Sequence, residues 1–287
     1  MLTSAVGVLF DGFAYGMLLF LLSVGLSVTL GMMNFVNLAH CSFAMVGGYA
    51  TVTLVNRFGW PFLATLPMAF LAGAIISLVL ERTLFKRLYR ATDLDQCLLT
   101  IGIVFISIAA FAWFYTSDQQ SARPPEWLRA SLSVGGVTVA GYRLFLIVFG
   151  LATTFLLFFF IEKTRFGAKV RAAVDNQRMA RGLGIDVDRA FMLTFALGGG
   201  LAGLGGALAI EVVGLDPSFA LAYLVYVLIV VAVGGLGSIG GSFAAAVVLG
   251  ISDMAGKYYF PWLGAFLIYL VMVGLLMWRP LGLFGKR

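Results

Sequence analysis

Apolar residues fall into nine runs, at 8–30, 38–55, 62–80, 97–115, 144–161, 191–213, 220–235, 240–256 and 263–278, separated by short polar breaks. Runs of about 18 or more apolar residues predict membrane-crossing helices, because hydrocarbon leaves the backbone no partner outside its own hydrogen-bond ladder. The pattern predicts an all-α, polytopic membrane protein with about eight or nine transmembrane or re-entrant helices in a single domain over residues 1–287. One long polar stretch remains, EKTRFGAKVRAAVDNQRMARGLGIDVDRAF, from Glu162 to Phe191. Within it Val170, Val174, Met179 and Leu183 recur at spacings of four or five among good helix formers, and Gly182 and Gly184 supply a stop signal. A short amphipathic helix is expected there. Alone it would be marginal in water, so it needs the bilayer surface or a partner to pack against.

Two apolar runs are entered through unusual breaks. Asn34, Asn37, His40 and Ser42 put four polar side chains into a membrane segment, and Gly235, Gly237, Ser238 and Gly240 form a glycine-rich break before the eighth run. Each break leads into Ser-Phe-Ala, at 42–44 and 242–244, which suggests a weak parallel repeat. Backbone groups at such breaks lack helical partners, so both segments should face inward, where they would line a solute passage together. Hydrogen bonding between helices explains the polar side chains of the first break equally well. The connection Ser117–Arg143 contains LSVGGVTVAGYR, which reads as a small hairpin turning at Gly135-Gly136. Trp60 and the Tyr258–Trp262 aromatics suit interfacial anchors.

Composition agrees with this class. Hydrophobic residues make up 61% of the chain and charged ones 11%, and the mean hydropathy is +1.02. The first run lacks a basic leader and a cleavage pattern, so it reads as a retained span. The net charge of +6 does not point to nucleic acid, because it comes from loops. Fourteen of the 19 Lys and Arg residues fall in the 81–96 loop, the 162–190 loop and the C-terminal tail. That bias favours an N-terminus outside and a cytoplasmic C-terminus. Cys41 and Cys97 lie in apolar surroundings without metal-type spacing and read as buried thiols.

Catalytic chemistry finds little support. Gly235-x-Gly237-x-x-Gly240 matches the dinucleotide fingerprint formally, but its flanks are membrane-length apolar runs and not a soluble βαβ unit. No phosphate-binding loop of the Walker type is present. His40 is the single histidine, so a membrane-embedded hydrolase would need it as the base for Ser42, with no orienting acid nearby. Asp11, Glu211, Asp216 and Asp253 fall near span ends and do not suggest a proton relay, although Glu211 and Asp253 keep a minor claim. Gly198, Gly199, Gly200, Gly203, Gly205 and Gly206 in the sixth run let backbones approach closely; the expectation is a tightly packed central helix, with a dimer axis as one setting for it.

Four blocks in order, GMMNFVNLAHCSFAMVGGY, FGAKVRAAVDNQRMARGLGIDVDRAF, VGGLGSIGG and RPLGLFGK, resemble the permease subunits of branched-chain (hydrophobic) amino acid ABC importers. The resemblance covers nearly the whole chain. It implies a transport subunit of a bacterial inner membrane that is not itself an enzyme and binds no cofactor. Its implied partners are a second homologous permease, two cytoplasmic ABC ATPases carrying ATP and magnesium, an external solute-binding protein and membrane lipid, with no nucleic acid. The 162–190 loop becomes the ATPase-coupling element, with Phe166, Gly167, Arg171, Ala172, Ala173, Asn176, Ala180, Gly184 and Ile185 at the matching positions. Its small alanines would permit close docking. Cys41-Ser42 replaces a Gly-Glu pair common in the family, and LAYLVY at 221–226 lacks a common lysine, so urea, short amides and aromatic acids stand beside amino acids as solutes. A stand-alone secondary transporter or channel is the alternative, though no ion-coupling carboxylate lies at a mid-membrane break.

Overall fold

The computed structural model describes residues 2–33, 35–89, 91–134 and 137–285. Asn34 and the Gly135-Gly136 turn lie outside them. The nine apolar runs correspond to helices α1 (Leu2–Met33), α2 (His40–Asn56), α3 (Phe62–Leu80), α5 (Asp93–Tyr115), α7 (Gly141–Lys163), α10 (Val187–Val213), α11 (Phe219–Gly234), α12 (Ile239–Tyr259) and α13 (Gly264–Trp278). Between them lie α4 (Lys86–Leu88), which continues α3 through a π-helical turn at Glu81–Phe85, then α6 (Glu126–Arg129), α8 (Arg165–Asp175) and α9 (Gln177–Gly182). Among the described residues six helices are long and apolar enough to cross a membrane, those within Ser4–Gly31, Phe62–Leu88, Asp93–Tyr115, Gly141–Lys163, Val187–Val213 and Ile239–Tyr259. Phe219–Gly234 and Phe266–Trp278 are shorter apolar helices. This is a multi-pass, all-α membrane protein.

Several helices outrun their apolar runs because polar caps set the true ends. Thr92 caps α5 in a reciprocal box with Asp95, and the Asp186 carboxylate accepts from the Arg189 amide at 3.0 Å to start α10. Each satisfies amides that the first turn leaves without partners. The expected hairpin is present as antiparallel strands β1 (Ser131–Val134) and β2 (Val137–Ala140).

Helices α1 and α10 form the centre, buried along nearly their whole length, while α3, α5 and α7 present much of their surface outward. The glycines of α10 explain the density. A methyl group on Gly206 would lie 1.9 Å from the carbonyl of Ala44 in α2, one on Gly25 of α1 would lie 2.3 Å from the carbonyl of Gly198, and one on Gly47 of α2 would lie 2.1 Å from that of Gly203. At these distances only glycine fits, and the gain is close backbone packing between apolar helices. The central helix is thus as expected, but the dimer axis is not: the six glycines are buried against α1, α2 and α3 of this same chain.

Candidate coupling and translocation site

The polar loop forms two short helices and not one. Thr164 caps α8 by accepting from the Gly167 amide at 3.2 Å. Asn176 then breaks the helix with extended dihedrals and caps α9 by accepting from the Met179 amide at 2.9 Å. Gly184 ends α9 at φ +79°. There Ile185 N–H donates to the Ala180 carbonyl and Gly184 N–H to that of Arg181, both at 3.0 Å, a Schellman stop.

The loop is fastened to the bundle at both ends. Gly167 lies so close to the Ile161 carbonyl that no side chain fits, and Phe166 packs on Phe160 at 5.2 Å. The Arg171 guanidinium donates to the carbonyls of Ile161 and Glu162, placing a cation on the unpaired end of α7. Ala173 and Ala180 are buried with Val187 and Phe191, beside Met33, Tyr89 and Ile185. Their small side chains therefore serve contact within this chain, which corrects the expectation that both face a docking partner. Ala172 is half-buried, and Arg171, Asn176 and Gly184 are exposed. The apolar residues left outward are Met179 and Leu183, 67% and 80% exposed. Lys86 and Arg181 both reach Asp188, at 3.0 and 2.9 Å, and link α4, α9 and the start of α10. Beside them the Tyr89 hydroxyl donates to Glu81 at 2.7 Å, and burial pushes its pKa well above the usual phenol value.

The second break lies beside this loop. Gly235 and Gly237 adopt φ +93° and +78°, and a methyl on Gly31 of α1 would lie 1.9 Å from Gly237 Cα. Ser238 caps α12, accepting from the Gly241 amide at 3.0 Å. The C-terminal tail closes the end of α11: Leu283 N–H donates to the Val233 carbonyl at 2.7 Å and Phe284 N–H to that of Gly234 at 3.2 Å. Carbonyls that would otherwise be orphaned are thereby paired. A cavity of about 800 Å³ lies between the break and the loop, with Gly237, Ser238 and Gly240 on one wall and Arg171, Ala172 and Asp175 on the other.

The first break is sealed. Phe35, Asn37, His40 and Ser42 are buried. His40 Nε2 donates to the Leu22 carbonyl at 3.0 Å, eleven residues and roughly 16 Å of helical rise from the end of α1, so the chain turns back into the bundle. The amides of Val36 and Leu38 donate to Gln96 Oε1 at 3.0 Å and Thr100 Oγ1 at 3.2 Å on α5. Ser42 Oγ bonds Ser107 Oγ at 2.8 Å. The Asn37 amide group is buried without a partner among the described residues. His40 and Ser42 therefore face different neighbours, and the hydrolase pairing does not form. None of Asn37, His40 and Ser42 borders the cavity that Gly237, Ser238 and Gly240 line; α1 touches both sets, bonding His40 through Leu22 and Ser242 through Ser27 at 2.8 Å. Gln96 and Thr100, missed in the sequence, stand one helical turn apart at the polar start of an apolar run, and that spacing was the available signal.

The profile of the family described as "Branched-chain amino acid transport system / permease component" matches residues 8–276. The chain belongs to this family. Among proteins of this kind, it is 29% identical to a probable branched-chain amino acid transport permease protein LivH of Methanocaldococcus jannaschii, covering 94% of this chain and 90% of that one. It is 24% identical to the high-affinity branched-chain amino acid transport system permease protein BraD of Pseudomonas aeruginosa, covering 97% and 95%. It is also 26% identical to a LivM permease protein of Salmonella typhimurium, covering 93% of this chain and 68% of that one. No solved structure matches. The match runs from within α1 to within α13, so both breaks lie inside the region shared with the permease component.

Proposed function

We propose that the chain is one half of the membrane path of an ATP-driven importer for branched-chain or other small amino acids or related small solutes, working with a second, similar permease. Two separate ATPases carrying ATP and magnesium dock on α8 and α9, an external binding protein delivers the solute, and the chain itself performs no chemistry. The single observation that carries this reading is the cavity whose two walls are the glycine break and α8. Movement of α8 alters that cavity directly, because Arg171 and Ala172 line it while Met179 and Leu183, just beyond Asn176, face outward to a partner. The inner end of the path lies there, in the cytoplasm of a bacterial cell, with the N-terminus of α1 outside as the basic residues favour. The relatives' names supply the solute class.

The test is reconstitution of the tagged chain with the proteins that copurify with it. ATP-dependent uptake of L-leucine is expected, and Leu183→Asp is expected to abolish both uptake and ATPase copurification while membrane insertion persists. Uptake driven by an ion gradient without ATP would instead establish the stand-alone transporter. Cysteines at Ser121 and Tyr259 should label from outside and one at Asn176 should not; the reverse would invert the orientation.

A further inference from the structure

Asp253 on α12 is fully buried and lies six residues before the end of that helix opposite the cavity. Its Oδ2 accepts from Lys257 Nζ at 2.5 Å, while Oδ1 is buried with no partner among the described residues. Lys257 is 49% exposed, and its Nζ lies 5.4 Å from the ring centre of Tyr15 on α1. Helices α1 and α11 both pack on α12, and on α11 the rings of Tyr223 and Tyr226 stand 5.7 Å apart. A carboxylate and an aromatic face together form a holder for an ammonium group, here occupied by one on a flexible stem. A buried carboxylate oxygen without a donor is costly in an apolar bundle and leaves room for one more N–H. An ionisable side chain turned into the interior of a membrane bundle is costly to keep there, which makes it a candidate solute or ion site where a second observation points to a ligand.

We infer that Asp253, Lys257, Tyr15, Tyr223 and Tyr226 form a recognition site for the ammonium and carboxylate head of an amino acid solute. The incoming ammonium takes Asp253, and the displaced Lys257 ammonium takes the solute carboxylate, so both charges stay paired. The site rests on the importer reading above, deepens it by naming the solute head group, and lies where a solute delivered from outside would arrive.

The test uses the full chain with its partners in membrane vesicles, with Ala222→Cys as a reporter, since that exposed position shares a helix face with Tyr226. Millimolar L-leucine is expected to slow its alkylation severalfold, and 4-methylpentanoate, which lacks the ammonium, to leave it unchanged. Asp253→Asn is expected to remove the protection and to raise the KM of leucine uptake at least tenfold. The double variant Asp253→Asn/Lys257→Gln, which leaves no unpaired charge, is expected to remain defective. Recovery of leucine uptake in the double variant would reduce the pair to a structural ion bridge and overturn the inference. Alkylation indifferent to leucine would overturn it as well, while ATP-driven uptake of a solute without an ammonium or carboxylate, such as urea, in place of leucine would overturn it and leave the importer reading intact.

Discussion

The two breaks share a local design and differ in what surrounds them. Each follows a helix end and leads into Ser-Phe-Ala, and each serine bonds a serine on a neighbouring helix at 2.8 Å, Ser42 with Ser107 and Ser242 with Ser27. The first break is filled from outside itself: Gln96 and Thr100 take its amides and His40 takes a carbonyl of α1. The second is filled from its own glycines and the tail, and keeps Leu236, Gly237 and Gly240 exposed beside a cavity. Polar side chains inside a membrane bundle are thus no guide by themselves to a solute path. His40 and Ser42 fasten the first break to its neighbours, while the backbone at 236–240 stays exposed beside the cavity.

The largest expected effect is at Gly237. Replacement by leucine would place a side chain at φ +78°, costing ~1–2 kcal/mol for the conformation alone, and would drive the break off Gly31. Uptake in reconstituted vesicles should fall to background. Gly240→Leu sharpens the contrast, because nothing beyond its own turn of α12 lies within 4 Å of the position a methyl would take. It should cut uptake by filling the cavity while the melting temperature stays at the parent value; a lowered melting temperature would mean the cavity is not free space.

At the sealed break the expected change is in stability. Gln96→Ala leaves the Val36 amide unpaired, a loss of ~1–3 kcal/mol, and should lower the melting temperature in detergent while uptake per folded molecule is kept. Reduced uptake by the fully folded fraction would place the first break in the path after all. Smallest are Ser42→Ala and Ser242→Ala, each removing one bond of ~0.6 kcal/mol by the scale of membrane bundles. Matched small shifts in melting temperature are expected from the pair, and unequal ones would end the equivalence of the two serines.

Much of the fold was legible because hydrophobic run length is a strong signal. All nine runs became helices, and the glycines of α10 announced its packing. The loop was read as one helix because its apolar spacing continues through Asn176, where a side-chain cap overrides propensity and starts α9. Half of the expected path was displaced for a related reason. Asn37, His40 and Ser42 are polar enough to suggest a passage, and only the tertiary positions of Gln96, Thr100 and Leu22 reveal that their surroundings are closed. The role of RPLGLFG was unreadable without knowing that the tail returns to Val233 and Gly234.

On the proposed coupling, the second break moves against α8 while the first stays fixed. Spin labels at Ala172 and Ser238 span the cavity, and labels at Val36 and Cys97 span the sealed break, with Cys41 replaced by alanine. Distances in the assembled transporter should be measured without nucleotide and with ATP trapped on the ATPases. The Ala172–Ser238 distance is expected to change between the two states while the Val36–Cys97 distance stays the same. A fixed cavity distance, or equal movement at both breaks, would contradict the account.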